Sequence, residues 1–386
     1  MTRTEKLLAD LIALPSVNPA FRSQEGAGPH GGRQLRLAKN GEKNVADFLA
    51  AVAAKAGLGV EFQKVLPGRS NLLVSLQPRG KIRQTILLAP HLDTVNAEDS
   101  QFVPRRKNGR LHGRGACDTK GSIAAMLAAL CELAESKTRP RETRIIFAGL
   151  VDEEHAQAGS RTLVAGGFKA DLAIVGEPTR LQAVTAHKGS LWLELETHGQ
   201  AAHGATPHLG RNAVREMAHI VEILEADYAT RLRSRRHPLL GPATVNVGTI
   251  CGGTQPNIVP DRCAITVDRR TLPGETDGGV RREMAVFIHV RKLRATITST
   301  KLAPAPPLET NPKLPLVRQF LRNLRQHRPK GVDFFCDAAV LSAGGTPSIV
   351  FGPGDIAQAH TTDEWMSLAS LERGKNLLLR FLNSLS

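Results

Sequence analysis

The sequence predicts an α/β protein: a doubly wound layer of strands and helices, interrupted by a smaller α+β insert of ferredoxin-like order. Three observations predict it. In both end regions, short β-branched apolar runs alternate with helix-like stretches, the pattern of a mostly parallel sheet covered on both faces. The middle of the chain reads instead as strand, helix, strand, strand, helix, strand, which is ferredoxin-like order. The 386 residues also exceed the roughly 250–300 that one core holds.

Taken in order, MTRTEKLLADLIALPSVNP (1–19) reads as an amphipathic first helix ended near Pro15. Glu5, Lys6 and Asp10 break its apolar stretch, so it does not read as a secretion signal, and a cytoplasmic protein is expected. Arg22 to Gly41 is glycine-rich and basic and is expected to be a surface loop. TILLA (85–89), RIIFAGL (144–150), LAIV (172–175) and SIVF (348–351) read as buried strands, and GSIAAMLAALCELAES (121–136) as a helix lying on them. SLWLELETHG (190–199), TVNVGTI (244–250), CAITVDRRT (263–271) and ATITSTKLA (295–303) read as the strands of the insert, with helices over 211–230 and 275–290. APAPPLETNP then returns the chain through a stiff proline-rich connector. The expected boundaries are 1–183 with 304–386 for the sheet domain and 184–303 for the insert.

Composition excludes several classes. A hydrophobic fraction of 41% and a charged fraction of 23% are those of a globular chain, and no apolar run reaches the ~20 residues of a membrane helix. The five cysteines are odd in number and lack a Cys-x-x-Cys pair, which argues against a disulfide framework or a cysteine-rich zinc site. The net charge of +15 invites nucleic acid as a partner, but the basic residues are scattered and aromatics make up only 4%. No nucleic-acid and no membrane partner is expected. GRGACDTKG (113–121) lacks the spacing of a phosphate loop, and no G-x-S-x-G nucleophile elbow is present.

The chemistry lies just past the strands. The four apolar runs lead into His91 and Asp93, Glu153 and Glu154, Glu177, and His360, and the crevice at the carboxyl ends of strands is where an open α/β sheet places its site. A two-metal hydrolase needs carboxylate and imidazole ligands on each ion, a shared carboxylate, and a free carboxylate to take a proton from water. His91 and Glu177 can hold one ion, Glu154 and His360 the other, and Asp118 can bridge them. Asp93 can then orient the His91 ring. Consecutive extended residues point to opposite sides, so one of Glu153 and Glu154 can ligate while the other serves as base.

The segments HLDTV (91–95), GRGACDTKG (113–121), DEE (152–154), GEPT (176–179), AAHGATPHLGRNA (201–213), GGTQPNIVPD (252–261), DRRTLPGE (268–275) and FGPGDIAQAHTTDEW (351–365) carry a resemblance over nearly the whole chain. It is to the co-catalytic zinc peptidases and amidohydrolases, which include deacetylases, desuccinylases, aminoacylases and glutamate carboxypeptidases. The resemblance implies two zinc ions, with cobalt as a substitute, on the ligands named above. It also implies that Glu153 is the general acid/base, that Asp93 supports His91, and that the insert is a lid and dimerisation domain. His203 would then reach the active site of a partner subunit and stabilise an oxyanion. Arg270 and Asn257 would hold the substrate's carboxylate or amide, and Gly352 and Gly354 would contact it through backbone. The implied substrate is a small N-acyl amino acid. GPG-x-x-x-QAH-x-x-DE, with Gln358, resembles most the members that act on N-acetylornithine, while succinyl-diaminopimelate, other acyl amino acids, and the dipeptides or peptides of a metallo-carboxypeptidase are alternatives. A non-catalytic binding module is a further one, against which the intact Glu153 argues.

Overall fold

The computed structural model describes residues 1–24, 41–136 and 139–386, so most of the basic loop expected at Arg22–Gly41 lies outside the described residues. The described chain forms two compact units. One comprises Met1–Thr185, Thr310–Lys330 and Cys336–Ser386; the other comprises Ala186–Glu309 and Gly331–Phe335.

The first unit is built on a mixed sheet. Its centre is four parallel strands in the order β6 (Thr143–Gly149), β3 (Gln84–Ala89), β7 (Leu172–Val175), β17 (Ser348–Val350). The hairpin β1 (Gly59–Leu66) and β2 (Arg69–Leu76) adds antiparallel strands beyond β6, and β8 (Val184–His187) pairs antiparallel with β17. Register explains why the central strands read as unbroken apolar runs. Ile86 and Leu88 pair with Ile145 and Phe147 on one side and with Leu172 and Ile174 on the other, and all six join the main core cluster. The alternate residues Leu87, Ala89, Ala148, Ala173 and Val175 face the opposite way and are equally buried, so helices must cover both faces.

The helices α1 (Arg3–Ile12), α3 (Lys120–Glu135), α8 (Pro315–Leu324) and α10 (Leu368–Asn383) pack on one another, while α4 (Ala158–Ala165) packs on α9 (Asp337–Ala343). Helix α2 (Gly41–Lys55) lies against β1 and β2. Thr2 caps α1 by accepting the Glu5 N–H, and Leu7, Leu8, Leu11 and Ile12 form its buried face, so the helix stops before Pro15 as expected. α3 is buried on almost every side, which its alanine-rich composition permits. A small sheet joins β4 (Arg105–Lys107), β5 (Arg110–His112) and β18 (Trp365–Ser367).

The second unit is the expected ferredoxin-like insert. β9 (Gly189–His198), α5 (Ala213–Ile223), β12 (Thr244–Gly252), β13 (Arg262–Thr271), α7 (Asp277–His289) and β14 (Thr296–Ser299) follow one another, and the sheet order is β12-β13-β9-β14. Leu191, Leu193 and Leu195 of β9 and Cys263, Ile265 and Val267 of β13 meet Met217, Met284 and Phe287 of the helices in one core. The helix expected over 211–230 runs longer. It widens into a π-helical turn at Leu224–Tyr228 and ends as α6 (Ala229–Arg233), which buries both Leu224 and Tyr228. β14 is shorter than the expected 295–303, because the chain leaves β9 after a last bond from Thr300 N–H to the Trp192 carbonyl. The short ribbon of β10 (Arg236–His237) and β11 (Gly241–Pro242) precedes β12, and β15 (Leu308–Glu309) pairs with the end of β8. β16 (Lys330–Val332) also pairs with β8.

The fold-level test lies in the aromatic cluster between α8, α10 and the end of β17. Phe320 stands edge-on to Phe351 at 5.1 Å and to Phe381 at 4.9 Å, and all three are fully buried. Phe320→Ala should lower the unfolding free energy by about 3–5 kcal/mol, measured by denaturant titration. A loss under about 1 kcal/mol would mean that this cluster is not part of the cooperative core.

Candidate metal centre

Sheet topology sets the site. From β3 the chain goes to β6 on one side, then crosses to β7 on the other. A crevice therefore opens at the carboxyl ends, where successive connections leave in opposite directions. Pro90 follows β3 and His91 follows Pro90; Glu153 and Glu154 follow β6; Glu177 follows β7; His360 ends the loop after β17. Asp118 sits on the turn before α3, and the Asp118–Thr119 peptide is cis.

The structure brings these residues together in a defined pattern. His91 Nε2 lies 3.0 Å from Asp118 Oδ1, and His360 Nε2 lies 3.2 Å from Asp118 Oδ2, so each carboxylate oxygen addresses a different imidazole. His360 Nε2 is also 3.2 Å from Glu154 Oε1, while Glu177 Oε1 stands farther off, 3.9 Å from His91 Nε2. Ligand atoms of His91, Asp118 and Glu154 fall within 4.8 Å of one another. Asp93 faces the other ring nitrogen, with His91 Nδ1 at 3.0 Å from its carbonyl and 3.4 Å from its Oδ1. Asp93 also accepts the backbone N–H groups of Glu153 and Glu154, each at 3.1 Å.

Three loops interlock around these ligands. Glu364 accepts the N–H groups of Gly115, Cys117 and Asp118 at 2.9, 2.8 and 3.0 Å, and the Arg114 guanidinium donates to it at 2.9 Å. It reaches them because β18 pairs with β5, which sets the chain just before Trp365 beside the start of the Asp118 turn. Thr119 does not cap α3; its hydroxyl donates to the His91 carbonyl at 3.1 Å. The Glu177 and His360 loops meet where Arg180 N–H donates to the Gly354 carbonyl at 2.8 Å. Gly352 spends its N–H on Thr179 Oγ1 at 3.1 Å, and a side chain there would collide with Ser122 and the Glu177 carbonyl. Glu364 lies in the segment FGPGDIAQAHTTDEW, but nothing in that segment marks it as the group that holds the Asp118 turn, because its burial is set by tertiary packing.

The second unit carries the other expected residues. His203 is exposed on a turn whose Gly204 N–H donates to the Asn257 carbonyl at 2.7 Å, so the His203 and Asn257 loops lie side by side. Arg270 is half-buried on β13, donates to Asp268 at 2.9 Å, and lies 5.9 Å from the Phe335 ring.

The electrostatics fit cations. Burial raises the carboxyls of Glu153, Glu154 and Glu177 above the usual range, and each neighbouring carboxylate adds to the rise. Burial pushes Asp118 the same way, but hydrogen bonds from His360 and His91 outweigh it and hold its carboxyl low. Hydrogen bonds to Asp118 and Glu154 raise His360 to about 10. Several carboxylates against two imidazoles in one crevice form an incomplete charge set, and the oxygen and imidazole donors suit a divalent ion such as zinc.

A raised imidazole has a measurable consequence. His360 is protonated at pH 8 in the metal-free protein, and a metal takes only the neutral ring, so metal uptake at pH 8 should release at least one proton. Calorimetry in buffers of different ionisation enthalpy measures this release. A heat that is the same in every buffer would refute it.

The chain matches the sequence profile of Peptidase family M20/M25/M40 over residues 87–384. It is 33% identical over 356 residues to an acetylornithine deacetylase of Myxococcus xanthus, covering 86% of this chain and 90% of that one. An acetylornithine deacetylase of Pectobacterium atrosepticum is 31% identical over 350 residues, covering 87% and 89%. The fold matches the crystal structure of aminopeptidase PepT from Bacillus cereus with a TM-score of 0.77 at 21% identity, over 99% of this chain and 97% of that one. The expected doubly wound sheet domain with an inserted α+β unit is thus the fold of this protein. Among the described residues no helix is long and apolar enough to cross a membrane. With the strand-end cluster of His91, Asp118 and Glu154 in place, the chain belongs to peptidase family M20/M25/M40 and is a metal-dependent amide hydrolase.

Proposed function

We propose that this protein removes the acyl group from a small N-acylated amino acid, with N-acetylornithine the first candidate, and that it uses two zinc ions, for which cobalt can substitute. One observation carries the reading: the two oxygens of Asp118 address His91 and His360 separately, with Glu177 and Glu154 flanking. A shared carboxylate between two half-sites is what a pair of ions requires. The named relatives, which align over most of both chains, support the substrate.

His91 and Glu177 would hold one ion, Glu154 and His360 the other, and Asp118 both. When bound, such ions supply Lewis acidity and stabilise the negative charge that develops on the amide oxygen. The protein's own part is proton transfer and placement. Glu153 takes the proton from the attacking water and delivers it to the leaving nitrogen; burial raises its carboxyl, the direction that strengthens it as a base. Asp93 fixes the His91 ring. His203 stabilises the oxyanion from a partner subunit, Arg270 and Asn257 bind the substrate's polar groups, and of the two glycines expected to contact it through backbone Gly354 remains the candidate, because the Gly352 N–H is held by Thr179. The second unit acts as lid and dimerisation domain. An exposed edge strand supports the homodimer: β12 spans Thr244–Gly252, is mostly accessible, and leaves Ile250 57% exposed, an edge that a second copy can cover. The cytoplasm is the proposed compartment.

The test is hydrolysis of a panel of N-acetyl, N-succinyl and dipeptide substrates after chelation, with and without zinc or cobalt. Metal-restored cleavage of N-acetylornithine is expected; restored cleavage confined to another class would replace the substrate, and none at all with metal bound would overturn the N-acyl amino acid reading. Glu153→Ala should lower kcat by about 10²–10⁴-fold with metal content unchanged. Undiminished turnover would remove Glu153 from its role. A protein that is monomeric by light scattering and fully active would contradict the role given to His203.

A further inference from the structure

Behind the metal centre lies a continuous buried polar chain that begins two elements away. Asn18 is fully buried. Its Nδ2 donates to Asp93 Oδ2 at 2.7 Å and to Asp152 Oδ1 at 3.0 Å, its Oδ1 accepts the Ala20 N–H at 3.1 Å, and its own N–H donates to the Thr94 carbonyl at 2.9 Å. One amide group thus joins the carboxylate that faces His91 to the residue just before Glu153.

Asp152 needs such support. It occupies left-handed backbone at φ 70°, a conformation disfavoured for side chains other than glycine, although aspartate tolerates it better than most. That turn sends the N–H groups of Glu153 and Glu154 back to Asp93. Sheet topology supplies the restraint. β2 runs antiparallel to β6, so the start of β2 lies beside the end of β6. Arg69 at that start meets Asp152 Oδ1 at 2.9 Å and pairs with Glu42 of α2, with Nη2 to Oε1 at 2.8 Å. Glu42 Oε1 in turn accepts the Asp152 N–H at 3.1 Å. Two residues along β2, Asn71 Oδ1 accepts the Val151 N–H at 3.2 Å. Glu42, Arg69, Asp152, Asn18 and Asp93 are therefore joined in one connected set, in which the Arg69 guanidinium and the Asn18 amide stand between three carboxylates.

We propose that Asn18 and the Arg69–Glu42 pair are positioning residues that act through Asp152 and Asp93 to aim Glu153 and Glu154 at the reacting centre. None of the three touches the proposed ligand atoms. Their work is to keep two adjacent glutamates on opposite duties, one toward the ions and one toward the water. Outer-shell partners of this kind typically matter by about 10–100-fold in activity or metal affinity.

The proposal rests on the roles given above to Glu153 and Glu154, so Glu153→Ala is measured beside it. The variants are Asn18→Ala, Asp152→Ala and the double variant, in the metal-loaded full chain, with Arg69→Gln as a second approach should Asn18→Ala fold poorly. Each single change is expected to lower kcat about 10–100-fold with KM within about twofold, and to weaken metal binding by chelator competition. The double variant should be no worse than the more damaged single one, because the residues act as a unit. Unchanged kcat and metal affinity per folded molecule, with only a lowered melting temperature, would overturn the proposal in favour of a purely structural network. Additive losses in the double variant would also overturn it. If Glu153→Ala keeps its turnover, the functional reading fails; if it is inactive while Asn18→Ala matches the unaltered protein, the positioning proposal alone fails.

Discussion

One carboxylate must face two imidazoles, and the rest of the site depends on that constraint. Asp118 can present one oxygen to His91 and the other to His360 only if its turn is held from behind. Glu364 holds it by gathering three backbone N–H groups and an arginine around one buried side chain. Charge-assisted bonds of this type are stronger than neutral ones, and they satisfy amide groups that would otherwise be stranded in a water-poor turn. The small sheet of β4, β5 and β18 accordingly serves the site more than the core: its pairing delivers Glu364.

The same constraint explains the polar chain behind the other glutamates. A run of Asp152, Glu153 and Glu154 is acidic throughout, and a flexible turn would let the three carboxylates swap places. Arg69, Asn18 and Asp93 remove that freedom, each through a contact of 3.1 Å or less. The consequence is a pair of buried glutamates, and burial raises the carboxyls of both Glu153 and Glu154. With Glu177 raised and Asp118 held low beside them, the carboxyls give the electrostatic sign of a crevice poised for cations.

Much of the fold was legible because its code is local. β-Branched runs bounded by Gly, Pro and Asp mark strands, and unbroken apolar character marks strands buried on both faces; register bears this out, since both Ile86 and its neighbour Leu87 are fully buried. The insert was legible from the order of its elements. The hairpin of β1 and β2 and helices α2, α8, α9 and α10 went unread. VEFQKVL alternates weakly at an exposed edge, and the buried stripe of α10, from Leu371 to Leu382, is interrupted by Arg373, Lys375 and Arg380. Asn18 and Glu364 were equally hidden, because a polar residue shows nothing in sequence of the buried partner it will meet.

By itself the sequence determined which residue types follow each strand, and hence that acid and imidazole would collect at one end of a parallel sheet. Strand direction is written in the alternation of strands and helices, so that much is local information. Only the tertiary structure decided which oxygen meets which ring, that Glu177 stands farther from His91 than Asp118 does, and that an asparagine near the N-terminus holds the turn of Glu153. Those relations join residues as far apart in sequence as Asp118 and His360. They depend on strand register, a left-handed turn and the antiparallel placement of β2, which the whole packed sheet sets and no local stretch of sequence specifies.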